Sequence, residues 1–241
     1  MSRNRFVPPQ HGAWAMLLLP WLAGVLTAGF RWPHLPLLVA WLAAYLFSYY
    51  FLQAVKTRRL ARVRAQLLLY GPVAAVSGAL VLLVRPQLLW YGPAFAALFA
   101  VNVAYARRRD ERALVNDLAS VVQSCLMVFV CATVAGRPLA EAVPVFAAVT
   151  AYFTGTVLYV KTMIRERGSA GYYRASVLFH LAALGAAWWV GVPVLVVFAL
   201  LLARAALLPR RRLTPKQVGL IEIAATVLLL VLLLVMVPVA G

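Results

Sequence analysis

Apolar runs of about 20 residues follow one another along this chain and constrain its fold more than any other feature. A helix that crosses the hydrocarbon core of a bilayer needs about 20 mostly apolar residues. We therefore predict an all-α, polytopic membrane bundle of about nine transmembrane helices. The predicted spans are 13–30, 35–54, 66–84, 87–105, 114–135, 139–160, 172–190, 192–209 and 217–240. Thr214, Pro215 and Gln217 form a capping-box pattern at the start of the last span.

The low charge content argues against a soluble domain. Of the 241 residues, 65% are hydrophobic and 12% are charged, whereas soluble domains carry about 25% charged residues. Too few polar side chains remain to cover a water-facing surface, so we predict a single transmembrane domain over residues 1–241. The basic N-terminus resembles a signal peptide, but the 13–30 run is long for a signal core, and we expect it to be retained as a helix.

The basic residues predict an orientation in the membrane. Twenty of the 23 Lys and Arg residues lie near the N-terminus or in the even-numbered connections, whereas Arg31, Arg85 and Arg137 lie in odd-numbered ones. Cytoplasmic loops of membrane proteins carry an excess of Lys and Arg. The N-terminus is therefore predicted to be cytoplasmic and the C-terminus external. The same explanation accounts for the net charge of +17, so we expect no nucleic-acid partner.

Polar residues form a stripe on the predicted fifth span. Spacings of three and four residues place them on one helix face, and polar groups in hydrocarbon usually face a protein interior or a wet cavity. One interpretation is hydrogen bonding that holds helices together, and the other is one wall of a cytoplasm-facing cavity. The residues of the stripe are Asn116, Asp117, Ser120, Gln123 and Ser124.

Two basic rims lie near the predicted cytoplasmic edge. Thr154, Lys161 and Arg165 are spaced along one face of the sixth span and its end. Gln53 and Lys56 form a similar rim on the second span. These side chains either snorkel to bulk lipid phosphates or converge on one anionic group, which would accept charge-assisted hydrogen bonds from them.

Two ionisable residues lie deeper in the predicted spans. For His180, in the seventh span, we favour an interior hydrogen-bonding role over that of a base or ligand. Glu222, in the ninth span, is predicted to pair with a basic residue of another helix; remaining protonated or carrying protons are the alternatives. Carboxylate clusters, P-loops and hydrolase motifs are absent from the sequence, so no metal or cofactor is predicted.

Two segments resemble a known family. Pro8–Pro9–Gln10–His11–Gly12–Ala13–Trp14 is similar to the P-x-HGAW segment that opens the YwiC-like family of bacterial membrane proteins. The stretch from Leu158 to Arg167, with His180 downstream, resembles the other marked region of that family. This resemblance covers the whole chain and implies the bacterial inner membrane, but it implies no activity.

A more distant resemblance is to the UbiA superfamily of membrane prenyltransferases. That resemblance implies nine transmembrane helices with functional loops on the cytoplasmic side after the second, fourth and sixth. In the superfamily, carboxylates at the ends of the second and sixth helices hold magnesium and an isoprenoid diphosphate. The corresponding segments here, Ser48–Lys56 and Val160–Arg165, contain no carboxylate, so a shared architecture would lack the metal clamp.

The preferred functional hypothesis is a cytoplasm-facing cavity that binds an anionic amphiphile, an isoprenoid or lipid phosphate, without a metal ion. A small-molecule or proton-coupled transporter that uses Asp117, His180 and Glu222 is one alternative, and a non-catalytic accessory subunit of a membrane complex is another. No catalytic residue is predicted, and whether the protein is an enzyme stays open. The candidate ligand-binding residues are Gln53, Lys56, Asn116, Asp117, Gln123, Thr154, Lys161, Arg165, His180 and Glu222.

Overall fold

The computed structural model describes residues 6–8, 11–188 and 192–236, and within these ranges the regular structure is helical. No β-strand occurs in the described ranges, so the prediction of an all-α fold is confirmed. The α-helices are α1 His11–Ala28, α2 His34–Thr57, α3 Arg64–Val84, α4 Gly92–Arg108, α5 Leu114–Cys125, α6 Met127–Ala135, α7 Leu139–Met163, α8 Ala170–Ala187, α9 Val192–Leu207 and α10 Pro215–Met236.

Each predicted span corresponds to helical structure, with some differences at the ends. α5 and α6 are the two halves of the predicted fifth span, which breaks at Leu126. The predicted fourth span begins with a 3₁₀-helix at Pro86–Tyr91, and α4 follows from Gly92. The predicted ends at 190 and 237–240 lie outside the described residues.

Seven segments of the described chain are long and apolar enough to cross a membrane. They contain α2, α3, α4, α5 with α6, α7, α9 and α10. Two helices fall outside this set: α1 has a shorter apolar stretch, Gly12–Ala28, and α8 carries Arg174 and His180 among its 18 residues. The chain is therefore a multi-pass membrane protein.

The first compact unit, unit 1, comprises Met1–Ala142. In it, α2 packs along α3, α1 along α6, and α4 along α5. Gly24 permits the close approach of α1 to α6, because a Cβ atom there would lie 2.8 Å from Cβ of Cys131 and 3.0 Å from Cα of Val128. The main buried core of this unit consists of Trp21, Val25, Leu37, Val81, Met127, Val130, Cys131 and Val134.

The second compact unit, unit 2, comprises Val143–Gly241. In it, α9 packs against both α8 and α10. A buried hydrophobic cluster packs three helices against one another. It consists of Tyr159 and Met163 of α7, Ala205 of α9 and Val218 of α10. The prediction of a single domain over 1–241 stays a prediction.

The predicted capping box at the start of α10 is confirmed. The Gln217 backbone N–H donates to Oγ1 of Thr214 at 3.3 Å, and the Thr214 backbone N–H donates to Oε1 of Gln217 at 2.9 Å. Pro215 occupies the first helical position, where its missing N–H costs nothing. This cap fixes the start of α10 and therefore the position of Glu222 along the helix.

Candidate functional site

Glu222 lies about two turns into α10 and is ion-paired with Arg204 of α9. Arg204 Nη1 donates to Glu222 Oε1 at 2.5 Å, and the hydroxyl of Thr156 on α7 donates to Glu222 Oε2 at 3.0 Å. The Arg204 and Glu222 side chains are 7% and 15% exposed. Pairing with a basic residue of another helix, the role preferred for Glu222 from the sequence, is confirmed.

Aromatic and hydroxyl side chains of unit 2 hold this ion pair in place. Cζ of Arg204 lies 4.3 Å from the ring centroid of Tyr159, a cation–π contact. Thr226 Oγ1 donates to the backbone carbonyl of Glu222 at 2.7 Å, and it forms a 2.8 Å hydrogen bond with the hydroxyl of Tyr152. We call Tyr152, Thr156, Tyr159, Arg204 and Glu222 the Arg204 cluster.

Arg204 is the buried charged residue that the sequence analysis does not single out. The division of basic residues by connection places it in the eighth connection, yet it lies inside α9 and is buried. A signal was available, because Arg204 is the one charged residue in the apolar sequence Val192–Leu207. Unpaired charges inside a span are costly, so a lone Arg on one helix and a lone Glu on the next predict each other.

His180 of α8 is 2% exposed and packs closely against α7. Its Nδ1 lies 2.7 Å from the carbonyl oxygen of Ser176, one turn earlier in α8. A Cβ atom built on Gly155 would lie 2.9 Å from Nε2 of the imidazole. His180 therefore makes the interior hydrogen bond that the sequence analysis favoured.

The rim predicted on the sixth span extends past the end of the helix. Lys161 is 6% exposed and lies within α7, whereas Arg165 is exposed and lies past the helix end at Met163. The backbone N–H groups of Arg165 and Glu166 both donate to the Lys161 carbonyl, at 3.1 and 2.8 Å, and the helix ends at Met163. Lys161 lies seven residues, or about two turns, after Thr154 in α7 and therefore on the same helix face. Arg165 lies past the helix end, and Thr154 is half-buried.

A cleft of about 250 Å³ lies where α7 connects to α8 in unit 2. Arg167 links the end of α7 to the segment before α10, because it donates to the backbone carbonyls of Met163 and Leu213, both at 2.9 Å. We call it the unit 2 cleft. Its lining residues are Thr162, Glu166, Gly168, Ser169, Ala170, Tyr173, Pro209 and Arg210.

The polar stripe of α5 is directed into unit 1. Asn116 is 8% exposed, Ser124 is 7% exposed, and the other three stripe residues are half-buried, whereas the neighbouring Val115 is 57% exposed. Asn102 of α4 donates to Asn116 Oδ1 at 2.8 Å and to Ser120 Oγ at 3.1 Å. For Asn116 and Ser120, helix-to-helix hydrogen bonding is therefore observed. Asp117 and Gln123 are half-buried members of the same stripe.

Lys56 forms an ion pair with Glu111, in the connection between α4 and α5. Nζ and Oε1 are 2.7 Å apart, and about a third of each side chain is exposed. Partial burial raises the pKa of the Glu111 carboxyl, but the hydrogen bond from Lys56 and the charges of Lys56 and Arg112 outweigh it and hold that pKa below its usual value. Lys56 therefore already has an anionic partner, and Gln53, one turn earlier, is half-buried.

The candidate residues divide evenly between the two compact units. Unit 1 contains Gln53, Lys56, Asn116, Asp117 and Gln123. Unit 2 contains Thr154, Lys161, Arg165, His180 and Glu222. The convergence of the two basic rims over one cavity stays a prediction.

Comparison with known proteins finds one family model and two relatives that match this chain. The family model described as YwiC-like protein matches residues 7–132. An uncharacterized protein of Haemophilus influenzae is 35% identical over 230 residues, which cover 94% of this chain and 96% of the relative. The uncharacterized protein YwiC of Bacillus subtilis is 32% identical over 189 residues, or 76% and 79% of the two chains. No solved structure matches.

Proposed function

The chain belongs to the YwiC-like family, and we propose that it binds the phosphate headgroup of an anionic amphiphile, a lipid or isoprenoid phosphate, in the unit 2 cleft. The protein would lie in the bacterial inner membrane, with its N-terminus in the cytoplasm and its C-terminus outside, as the distribution of Lys and Arg favours. The connections on either side of the cleft, α7–α8 and α9–α10, are among the basic ones.

The lining of the unit 2 cleft carries this proposal. Arg210 is exposed there and supplies a guanidinium group. Ser169 caps α8, and its side chain accepts the backbone N–H of Tyr172. The N–H groups of the first helical turn have no partner within their own helix and favour a negative charge. The carboxylate of Glu166 lines the same cleft, so headgroup binding depends on Arg210 to offset it.

The size of the cleft limits what part of an amphiphile enters. About 250 Å³ lies below the range of roughly 300–1,000 Å³ usual for sites that enclose a small molecule. A phosphate headgroup fits, whereas the apolar chain stays in the bilayer. Binding then gains little from hydrophobic transfer, since the chain moves from lipid to lipid, and its selectivity rests on charge-assisted hydrogen bonds to the headgroup.

We propose direct contact with the phosphate rather than contact through a metal ion. Among the described residues no three His, Cys, Asp or Glu side chains come together in a group that would hold a metal. The segments that correspond to the metal-binding motifs of the UbiA prenyltransferases carry Lys56, Lys161 and Arg165 instead of carboxylates. Headgroup binding should therefore persist when magnesium is removed with a chelator.

A charge-matched pair of variants tests the proposal. Arg210→Gln removes the guanidinium from the cleft, and Arg212→Gln makes the same change at an exposed position of the same connection that does not line it. Native mass spectrometry of the detergent-purified variants should show selective loss of anionic lipid from Arg210→Gln, with Arg212→Gln and chelator-treated wild type retaining it. Equal lipid retention in both folded variants, or equal loss, would contradict a specific headgroup site.

Proton-coupled transport is a second candidate function, favoured by one observation. Arg204 and Glu222 are a buried ion pair within helices that are apolar enough to span a membrane, and such groups frequently lie on ion or substrate pathways. Uptake of a solute into proteoliposomes under a pH gradient, abolished by Glu222→Gln but not by Glu141→Gln, would support it. Uptake that is insensitive to Glu222→Gln would exclude this role for the pair.

A further inference from the structure

One edge of the Arg204 guanidinium has no hydrogen-bond partner in the part of the chain that the structure describes. Nη1 donates to Glu222, whereas Nε and Nη2 are buried and meet no acceptor among the described residues. Arg204 as a whole is 8% exposed. Buried donors in proteins are nearly always hydrogen-bonded, and a charged donor left without an acceptor is costly. Two such donors side by side on one buried side chain indicate a site for an acceptor.

The chemistry of these two donors specifies the class of acceptor. Nε–H and Nη2–H run parallel along one edge of the planar guanidinium, which matches the two oxygens of a carboxylate or phosphate group. The Tyr159 ring beneath the guanidinium and Glu222 at Nη1 fix its plane and rotation. We propose that this edge of Arg204 is a binding site for an oxyanion inside unit 2.

Charge balance adds a second component to the site. Arg204 and Glu222 neutralise each other, so an added oxyanion would leave a net negative charge buried among helices, which is unfavourable. One proton from solvent that bonds to a carboxylate oxygen of Glu222 removes that charge, and no other bond changes. Around the pair, the Tyr152 hydroxyl donates to the backbone carbonyl of Glu222, the Tyr159 ring lies against Arg204, and His180 of α8 lies against Gly155 of α7. We expect one proton to be taken up for each monoanion bound.

The site is distinct from the headgroup site proposed above. None of the residues of the Arg204 cluster lines the unit 2 cleft. The inference therefore does not depend on headgroup binding, and it gives the transport alternative a substrate class. Arg210→Gln should leave oxyanion binding at Arg204 unchanged, so the two proposals fail separately.

Calorimetry of the full-length protein tests the site directly. Acetate and inorganic phosphate serve as free oxyanions, titrated into protein in nanodiscs of zwitterionic lipid, in two buffers of different ionisation enthalpy. Nanodiscs containing phosphatidic acid provide the lipid-borne oxyanion, which would reduce binding of the free probes if it occupies the same edge. Binding of acetate, which is fully ionised at neutral pH, with uptake of one proton supports the proposal. Absence of binding by every probe would show that water or lipid satisfies the two donors, and would overturn it.

Two conservative variants locate the effect at the predicted atoms. Arg204→Lys keeps the positive charge but loses the paired donors, so oxyanion binding should weaken about tenfold or more; Arg212→Lys is the matched control. Glu222→Gln imitates the protonated carboxyl, so it should still bind the oxyanion, but without proton uptake. Binding by Arg204→Lys at wild-type strength would overturn the site. Wild-type binding without proton uptake would overturn the coupling. Thermal unfolding of each variant verifies that it is folded.

Discussion

At the scale of single residues, the Arg204–Glu222 ion pair is the most demanding feature of unit 2. Each charge loses its hydration on burial, and their mutual attraction offsets that loss only when both are held in a good geometry. Thr156 and the ring of Tyr159 supply that geometry. The presence of the pair therefore does not by itself show that it stabilises the fold. Removing one partner alone, however, leaves the other charge buried and unpaired, which destabilises the fold.

Single and double substitutions of the pair should therefore differ in their effect on stability. Arg204→Met and Glu222→Leu should each destabilise the protein by about 3–5 kcal/mol, because each leaves one buried charge without its partner, and the double substitution should cost less than either. Thermal unfolding in detergent is the measurement.

An exposed ion pair provides the control for that cycle. Arg137 and Glu141 lie four residues apart with about half of each side chain exposed. Removing either should change stability by no more than about 1 kcal/mol. If the double substitution at 204 and 222 costs the sum of the two singles, the two side chains are not coupled and the structural account of the pair fails.

At the scale of helices, packing in unit 1 depends on where a side chain is missing. Gly24→Ala would place a Cβ atom against the backbone of Val128, as well as against Cys131, so α1 and α6 would have to move apart. We expect a loss of about 1–3 kcal/mol from overpacking. Gly78→Ala in α3 is the control, because nothing lies within 4 Å of its added Cβ atom and alanine favours a helix by up to about 1 kcal/mol.

The Gly24 prediction is checked by comparing the melting temperatures of the two variants in the same detergent. Gly24→Ala should melt below wild type, and Gly78→Ala at or above it. A Gly24→Ala variant as stable as the control would mean that α1 and α6 do not pack as closely as described.

The helices show what could be predicted from the sequence and what could not. Apolar length located every helix, and Thr214 with Gln217 predicted the start of α10, because both signals are local. The break of the fifth span at Leu126 and the 3₁₀-helix before α4 carry no comparably clear local signal. The end of α7 before Arg165 depends on a turn in which the Glu166 backbone N–H donates to the Lys161 carbonyl.

The candidate site was predicted in part for the same reason. The position of Glu222 in an apolar span predicted that it pairs with a basic residue. Helical spacing predicted that Asn116 lies on a polar stripe. The partners of these candidates belong to other segments of the chain: Asn102 binds Asn116, Arg204 binds Glu222, and Glu111 binds Lys56. Partners such as Asn102 and Glu111 depend on which helices are neighbours, which one sequence read along its length does not show, whereas the lone charge of Arg204 in an apolar span was a sequence signal for its pairing with Glu222.

At the scale of the whole molecule, the distribution of Lys and Arg predicts the orientation of the chain in the membrane. The basic connections follow α2, α4, α7 and α9, and the weakly basic ones carry Arg31, Arg85 and Arg137. Burial of Arg204 within α9 removes it from the loop count, but Arg210, Arg211, Arg212 and Lys216 keep that connection strongly basic. The excess of basic residues in these connections therefore remains, and with it the predicted orientation.

Labelling of single cysteines tests this orientation. Cys125 and Cys131 are buried, and a background without them gives each introduced thiol an unambiguous signal. Cysteines at the exposed positions Arg59, Arg109 and Arg211 should resist an impermeant thiol reagent added to intact cells and react after lysis, because the basic connections are expected on the cytoplasmic side. Cysteines at Trp32 and Arg137 should react without lysis. Labelling of the first set in intact cells would reverse the orientation and move the unit 2 cleft to the outer face, where cytoplasmic lipid and isoprenoid phosphates would not reach it.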